Sequence, residues 1–448
     1  MKCKLVSLAL FIGLSGCASI DLETERETVI EAALARSETP AITDIHHRPI
    51  GLHAAIRQAL ANNAALRARL ADTGLARVDR VDASRPANPV LGIAWFPEDN
   101  AEDFLELELS AAVIDLFSTP WRARSAGERY DAVQRAAVLE TLNFIADVER
   151  AWIAGVAANQ RLELAERIAA AAEASFLVSE ELSEAGNIPS IDLTRERLFV
   201  EQHRLALADA RHLAGQAARH LGMLLGGVEI SPSDLPQRLS HPQDDMPALA
   251  DADLLQRNLL LTERRLLAQA SARDAGLARF ESLFDHTEIG VVSEREDGDW
   301  ESGAVLETAL PVFDFGRSRR ARARILAIQA ADAYRAVEQD ISLAEATARA
   351  EYDLSRSQAD RYRDNVLPAA EALMERSMRQ YNAMQLGVFE LLATVQTVSE
   401  SGLAYVDALE RAHLAAADYR LLQAGGLPQV SVAVGVGNAP GREPAGGH

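Results

Sequence analysis

The chain has 448 residues, 48% of them hydrophobic and 25% charged, which suffices for a large core or for two domains. Its formal charge of −21 argues against a nucleic-acid-binding surface. Aromatics at 5%, with much Ala, Leu, Glu, Arg and Gln, argue for long helices rather than a β-rich core.

The first residues, "MKCKLVSLALFIGLSGCAS", place Lys2 and Lys4 before an apolar run from Leu5 to Leu14 and then small residues. The run is too short to span a bilayer and reads as a signal peptide. Its end, Leu14-Ser15-Gly16-Cys17, resembles the lipobox of bacterial lipoproteins; the alternative is an ordinary secretory signal with an incidental cysteine. The lipobox implies a signal over 1–16, acylation of Cys17, loss of Cys3 and no disulfide in the mature chain. Ala18 after the cysteine implies sorting to the outer membrane. No later stretch offers about twenty continuous apolar residues, so any crossing of a membrane falls to β-strands.

Residues 17–50 are expected to be an N-terminal segment carrying the lipid anchor. A helical pattern then runs from Leu52 to about Ala83 and ends at Pro86. Two short strands are expected at about 88–97 and 104–116. In the second, Leu105, Leu107 and Leu109 alternate with Glu106, Glu108 and Ser110, a period of two. After Pro120 a helix is predicted to about Ala185, roughly 65 residues and on the order of 100 Å long. "EAGNIPSIDL" breaks it, and another helix returns to about Leu225.

The order then repeats. A Pro- and Gly-rich linker at 229–250 leads to a helix from about Leu254 to Phe284, strands at about 286–295 and 303–314, and a long helix from about Arg317 to Met384. That helix turns near Gly387 and returns to about Ala424; Pro368 should kink it. The units are 51–228 and 251–425, and 426–448 reads as a disordered tail. Each unit leaves its hairpin through a similar phrase: "AAVIDLFSTPWRARSA" from Ala111 and "PVFDFGRSRRARAR" from Pro311.

The strands have the length and alternation of membrane β-strands, with Glu106, Glu108 and Glu307 toward a lumen; the same alternation equally suits soluble hairpins with their glutamates in water. The acidic segments "PEDNAED" and "EREDGDWES" suit hairpin loops, and Trp95, Phe96 and Trp300 suit a membrane interface. Four strands cannot close a barrel and open edges are excluded from hydrocarbon, so a membrane reading forces oligomerisation; three chains give twelve strands. Along the long helices, Leu164, Ile168, Ala172 and Phe176, or Val366, Ala370, Met374 and Met378, form narrow apolar seams. The competing reading is a lipid-anchored periplasmic coiled-coil scaffold.

The leader, the duplicated helix–hairpin–helix–turn–helix order, "LHAAIRQALANNAALRARLA", "PVFDFGRSRRARAR" and "YNAMQLGVFELL" together resemble the TolC-type outer-membrane efflux family over about residues 50–425. The lipobox and "AGNIPSIDL" resemble its heavy-metal or cation efflux branch. The first phrase departs from the second, with Ser118-Thr119-Pro120 in place of Gly316-Arg317. The resemblance implies a mainly α fold with a small β part: a homotrimeric twelve-stranded barrel in outer-membrane lipid, continued by a periplasmic α-helical barrel. The implied partners are a periplasmic adaptor and an inner-membrane pump, and the implied role is a passive exit duct, with metal cations as one substrate class.

No catalytic constellation is present in the sequence: no P-loop, no Gly-x-Gly-x-x-Gly opening a helix, no His-Glu-x-x-His and no cysteine pair. Neither an enzyme nor a cofactor is expected. Adjacent His46 and His47 suit a loop better than a metal site. The resemblance places a periplasmic gate at Asp192, Tyr381 and Glu390, where threefold repetition would make acidic rings. Asp192 also follows a helix start, where an acid simply complements the dipole. Gly186, Pro189, Gly387 and Phe389 would shape turns that an adaptor grips.

Overall fold

The structure is a computed structural model that describes residues 21–37, 39, 48–96, 104–242, 246, 251–284, 287–296, 299–308 and 315–428. Cys17, His46, His47 and most of the tail lie outside them. No described helix is long and apolar enough to cross a membrane.

The first half runs α1 (Leu22–Arg36), α2 (Leu52–Asn62), α3 (Ala64–Leu70), α4 (Asp72–Ala83), β1 (Val90–Phe96), β2 (Phe104–Ala112), α5 (Val113–Glu184) and α6 (Ser190–Leu224). The second runs α7 (Asp251–Arg257), α8 (Leu259–Phe284), β3 (Thr287–Glu296), β4 (Asp299–Thr308), α9 (Arg317–Arg361), a π turn (Tyr362–Val366), α10 (Leu367–Asn382) and α11 (Val388–Gln423).

Several boundaries differ from the sequence reading. Helix α1 falls inside the segment expected only to carry an anchor. Asp21 caps it, accepting from Glu23 N, and its buried residues are Glu25, Val29 and Ala33. The single helix expected over 52–83 is three. Asn63 breaks the first junction by turning its side-chain oxygen to Leu66 N at 2.9 Å and its amide to the Leu224 carbonyl at 3.1 Å. Helix α5 starts at Val113, not after Pro120. The proline removes one helical donor, but the turn continues, with Thr119 Oγ1 donating to the Asp115 carbonyl. At 72 residues α5 is about 108 Å long. Strand β4 begins at Asp299, so most of "EREDGDWES" is strand rather than loop. Pro368 sits at the start of α10, immediately after the π turn that absorbs it.

The four strands form one antiparallel sheet ordered β1-β2-β3-β4, so the two halves meet at β2–β3. Beyond the sheet, α5 and α6 pair as one long hairpin and α9–α10 with α11 as the other. The core lies where α1, α2, α5, α6 and α11 meet, and it is rich in small residues: Ala55, Ala59, Ala146, Ala157, Ala218, Ala408, Ala412 and Ala417 are buried there. Such residues let helix backbones approach closely. A second cluster joins α7 and α8 to α9 and α11, where Tyr352 and Tyr419 stack at 5.9 Å.

The expected linker is bound down over its described part. Ile230, Leu235 and Leu239 are buried, Ile50 N donates to the Asp234 carbonyl at 2.8 Å, and Leu239 N donates to Gln160 Oε1 at 3.2 Å. His241 contacts Asp360 at 2.8 Å, and His413 Nε2 lies 2.7 Å from the Ser240 carbonyl.

Candidate functional site

Cross-strand pairs share a face, so the register sorts every strand residue onto one of two surfaces. On one face, Glu106 stands opposite both Ala94 and Glu294, Glu108 opposite Gly92 and Val292, Glu288 opposite Glu307, and Glu294 also opposite Glu301. Ser110 Oγ donates to Glu288 Oε2 at 3.1 Å on the same side. The other face carries Leu91, Ile93 and Trp95, then Leu105, Leu107 and Leu109, then Ile289 and Val291, then Trp300, Ala304 and Leu306. Its few hydroxyls satisfy one another: Ser293 with Ser302 at 2.8 Å and Thr287 with Thr308 at 3.1 Å.

Glu106, Glu108 and Glu307 therefore share the acidic face, as the alternation predicts. Leu91, Ile93, Trp95, Leu109, Ile289, Val291, Trp300 and Leu306 are all exposed, since nothing among the described residues covers the apolar face. Strands β1 and β4 are both open edges among the described residues. Edges and a bare apolar face together are what a soluble protein avoids.

At the far end of the hairpins, each half makes the same turn. Helix α5 ends with Gly186 N donating to the Ser183 carbonyl at 3.0 Å and Asn187 N to the Leu182 carbonyl at 2.8 Å. Helix α10 ends with Met384 N donating to the Tyr381 carbonyl at 2.9 Å and Gln385 N to the Gln380 carbonyl at 2.8 Å. Gly186 (φ 73°) and Met384 (φ 55°) hold the left-handed position that closes such a cap. Pro189 and Gly387 are then the equivalent helix caps. Asp192 and Glu390 are each the third residue of the helix that follows.

Of the expected gate residues, Asp192 is held by Arg195 at 2.9 Å, one turn on. Glu390 accepts from the Gly387 amide at 3.4 Å. Tyr381 is half-exposed, and among the described residues its hydroxyl has no hydrogen-bond partner. The single chain joins none of the three to another. Gly186, Pro189, Gly387 and Phe389 all lie in the paired turns or on the first residues beyond them. Sequence reading missed Met384, whose side chain is 96% exposed at the tip. It also missed Arg195, although an arginine three residues after a helical aspartate is a legible signal.

In sequence, the chain is 26% identical to the outer-membrane protein OprJ of Pseudomonas aeruginosa over 319 residues, which cover 67% of this chain and 65% of OprJ. It is 29% identical to TtgC of Pseudomonas putida, a probable efflux pump outer-membrane protein, over 181 residues covering 39% and 36%. The aligned stretches thus span less than two thirds of either relative. In structure, it matches the outer-membrane channel OprN with a TM-score of 0.69 at 19% identity, covering 84% of this chain and 90% of that one. The fold is that of the TolC-type outer-membrane efflux family. No family model matches the sequence. In a TolC-type fold, the sheet and the paired turns described above are the two ends of one elongated chain.

Proposed function

We propose that three copies of this chain form the outer-membrane exit duct of an efflux system. The observation that carries this reading is the sheet, apolar on one face, acidic on the other and open at both edges. Pairing β4 of one copy with β1 of the next closes twelve strands, satisfies both edges and turns the leucine face to lipid. The acidic face then lines a lumen that favours cations.

The helices support the same assembly. Ile191, Leu198 and Leu205 lie exposed on α6 at steps of seven residues, and Ile325, Ile328, Leu343 and Leu354 lie exposed on α9. An unfilled seven-residue stripe fits a neighbouring helix. TtgC is named for an efflux pump, which supports an inner-membrane pump and a periplasmic adaptor as partners of this chain. The adaptor would grip the turns at Gly186, Pro189, Gly387 and Phe389. Three copies of Asp192 and Glu390, with Tyr381 beside them, would form the constriction. Cys17 would carry the acyl anchor, four residues before the cap of α1. Transport through such a duct needs a conduit and a gate, not catalysis.

The test is to purify the protein from membranes in detergent and follow its migration on gels with and without heating, its strand content by circular dichroism, and its conductance in a planar bilayer. A heat-dissociable trimer that keeps its strands and conducts ions is expected. A protein recovered without detergent, with no conductance, would instead be the periplasmic coiled-coil scaffold.

A further inference from the structure

The arginines that open α9 are left unused by the duct reading. Arg317, Arg319, Arg320, Arg322 and Arg324 fall within eight residues, and the first acid on the helix is Asp332. Several arginines elsewhere are tied to carboxylates, among them Arg129 to Asp274, Arg150 to Asp418, and Arg204 to Glu173 and Glu201. Arg320 donates to the Phe315 carbonyl at 3.0 Å. Arg317, Arg322 and Arg324 are exposed and form no ion pair with any described residue.

Their height on the molecule is fixed. Gly316, at φ 68°, caps α9 in the left-handed region, and a β-carbon there would fall 2.4 Å from Ser282 Cβ. Ser282 lies five residues before β3. The turn therefore seats the first arginines beside the base of the sheet. Exposed aromatics accompany them: Phe315 on the turn, and Phe117 and Trp121 in the opening turns of α5, which continues directly from β2. The sheet itself carries acids at both ends, Glu288 with Glu307 at the base and Asp299 and Glu301 with Arg295 at the opposite rim, so the surplus of arginine at the base comes from α9.

An apolar band ending in exposed rings and the exposed guanidinium groups of Arg317, Arg322 and Arg324 matches the boundary between acyl chains and headgroups. Arginine's planar fork suits phosphate oxygens, and its stem can lie along apolar surface while its head reaches them. We propose that the start of α9, with the aromatic side chains beside it, binds the phosphate headgroups of anionic phospholipids in the leaflet that meets the base of the sheet. This rests on the outer-membrane reading.

The experiment is native mass spectrometry of the detergent-purified protein incubated with equal phosphatidylglycerol and phosphatidylethanolamine. The wild-type trimer should retain phosphatidylglycerol preferentially. Arg317→Gln/Arg322→Gln/Arg324→Gln should lower that retention on the order of fivefold or more while staying trimeric. Arg361→Gln, at the far end of α9, should not. The inference is overturned if the triple variant keeps the wild-type preference. It is also overturned if millimolar inorganic phosphate displaces phosphatidylglycerol completely, which marks a free-anion site. Loss of the trimer in the triple variant alone would show that the arginines face a neighbouring copy, again overturning it. A wild-type protein that is not a trimer would overturn the duct reading itself, a separate outcome.

Discussion

Asp192 and Glu390 occupy one position twice: each is the third residue after an equivalent cap, at the start of the returning helix of its half. Each also has a local role. Asp192 is paired with Arg195, and Glu390 accepts from the Gly387 amide, as acids in a first helical turn do.

These local roles set what neutralisation should do. Asp192→Asn with Glu390→Gln should cost each helix at most about 1 kcal/mol, too little to unfold helices of 35 and 36 residues. In a planar bilayer the double variant should lose cation selectivity and block by divalent cations, because low-dielectric walls focus the field of a carboxylate ring. Glu108→Gln, on the wide sheet face, serves as the control and should change little. Unchanged selectivity in the double variant would move the constriction elsewhere.

The two left-handed turn positions should respond in opposite directions. Gly186→Ala forces a β-carbon into the left-handed region and should destabilise its turn by about 1 kcal/mol. Met384→Gly relieves that conformation and should stabilise its turn by a similar amount, less the entropy it adds to the unfolded chain. Amide hydrogen exchange at Gln385 and Asn187, the residues that close the two caps, reads both effects. Faster exchange at Gln385 in Met384→Gly would contradict this.

The sheet makes a sharper distinction. Leu107 and Glu108 are neighbours in mid-strand but face opposite ways. Leu107→Arg should destabilise by about 2–4 kcal/mol, the cost of an arginine on a lipid face at mid-depth, while Glu108→Arg on a lumen face should cost far less. The fraction of folded trimer in a urea titration in detergent or lipid gives the comparison. Equal costs would mean that the leucine face does not meet lipid.

A pH dependence follows from His413. Burial, first of all, holds its imidazole below the ordinary 6.5; Arg420 and His241 push the same way, while the Ser240 carbonyl and Glu149 pull it back. These groups line one cleft, with Asp360 paired to His241 at its edge. With the folded value below the unfolded one, the unfolded chain takes up the proton first on acidification. The stabilisation is whole above about pH 7 and is lost as pH falls through the ordinary value toward the folded one. Melting temperature should drop between pH 7 and 5 in the wild type and drop less in His413→Gln. Parallel curves would assign the acid sensitivity to other groups.

How much of this was legible varies by element. "FLELELS" announces β2 and its two faces, because strict alternation has one structural meaning. "AGNIPSID" announces the first turn through a glycine and a proline. Its twin was harder to read, because a methionine takes the glycine's place. Helix α1 was invisible because its buried face includes Glu25, only 6% exposed, which Tyr130 approaches at 3.0 Å and which Arg77 neutralises. Both of those partners come from distant sequence. The start of α5 misled because "VIDLF" is apolar and β-branched, yet it lies on the helical side of Ala112. No local preference could place that boundary, which the register of β2 against β3 sets.

The open edges of β1 and β4 have a consequence before any duct exists. A newly made copy, in water, carries two strands without partners and an uncovered leucine face, and the next copy it meets offers the same. In the proposed duct, correct closure needs three chains, whereas a wrong edge-to-edge pairing needs only two and can continue without limit. Assembly is thus a race between orders of reaction. Raising the amount of newly made chain raises correct meetings and misjoined ribbons together, and yield depends on how quickly each copy reaches a bilayer that hides its leucines.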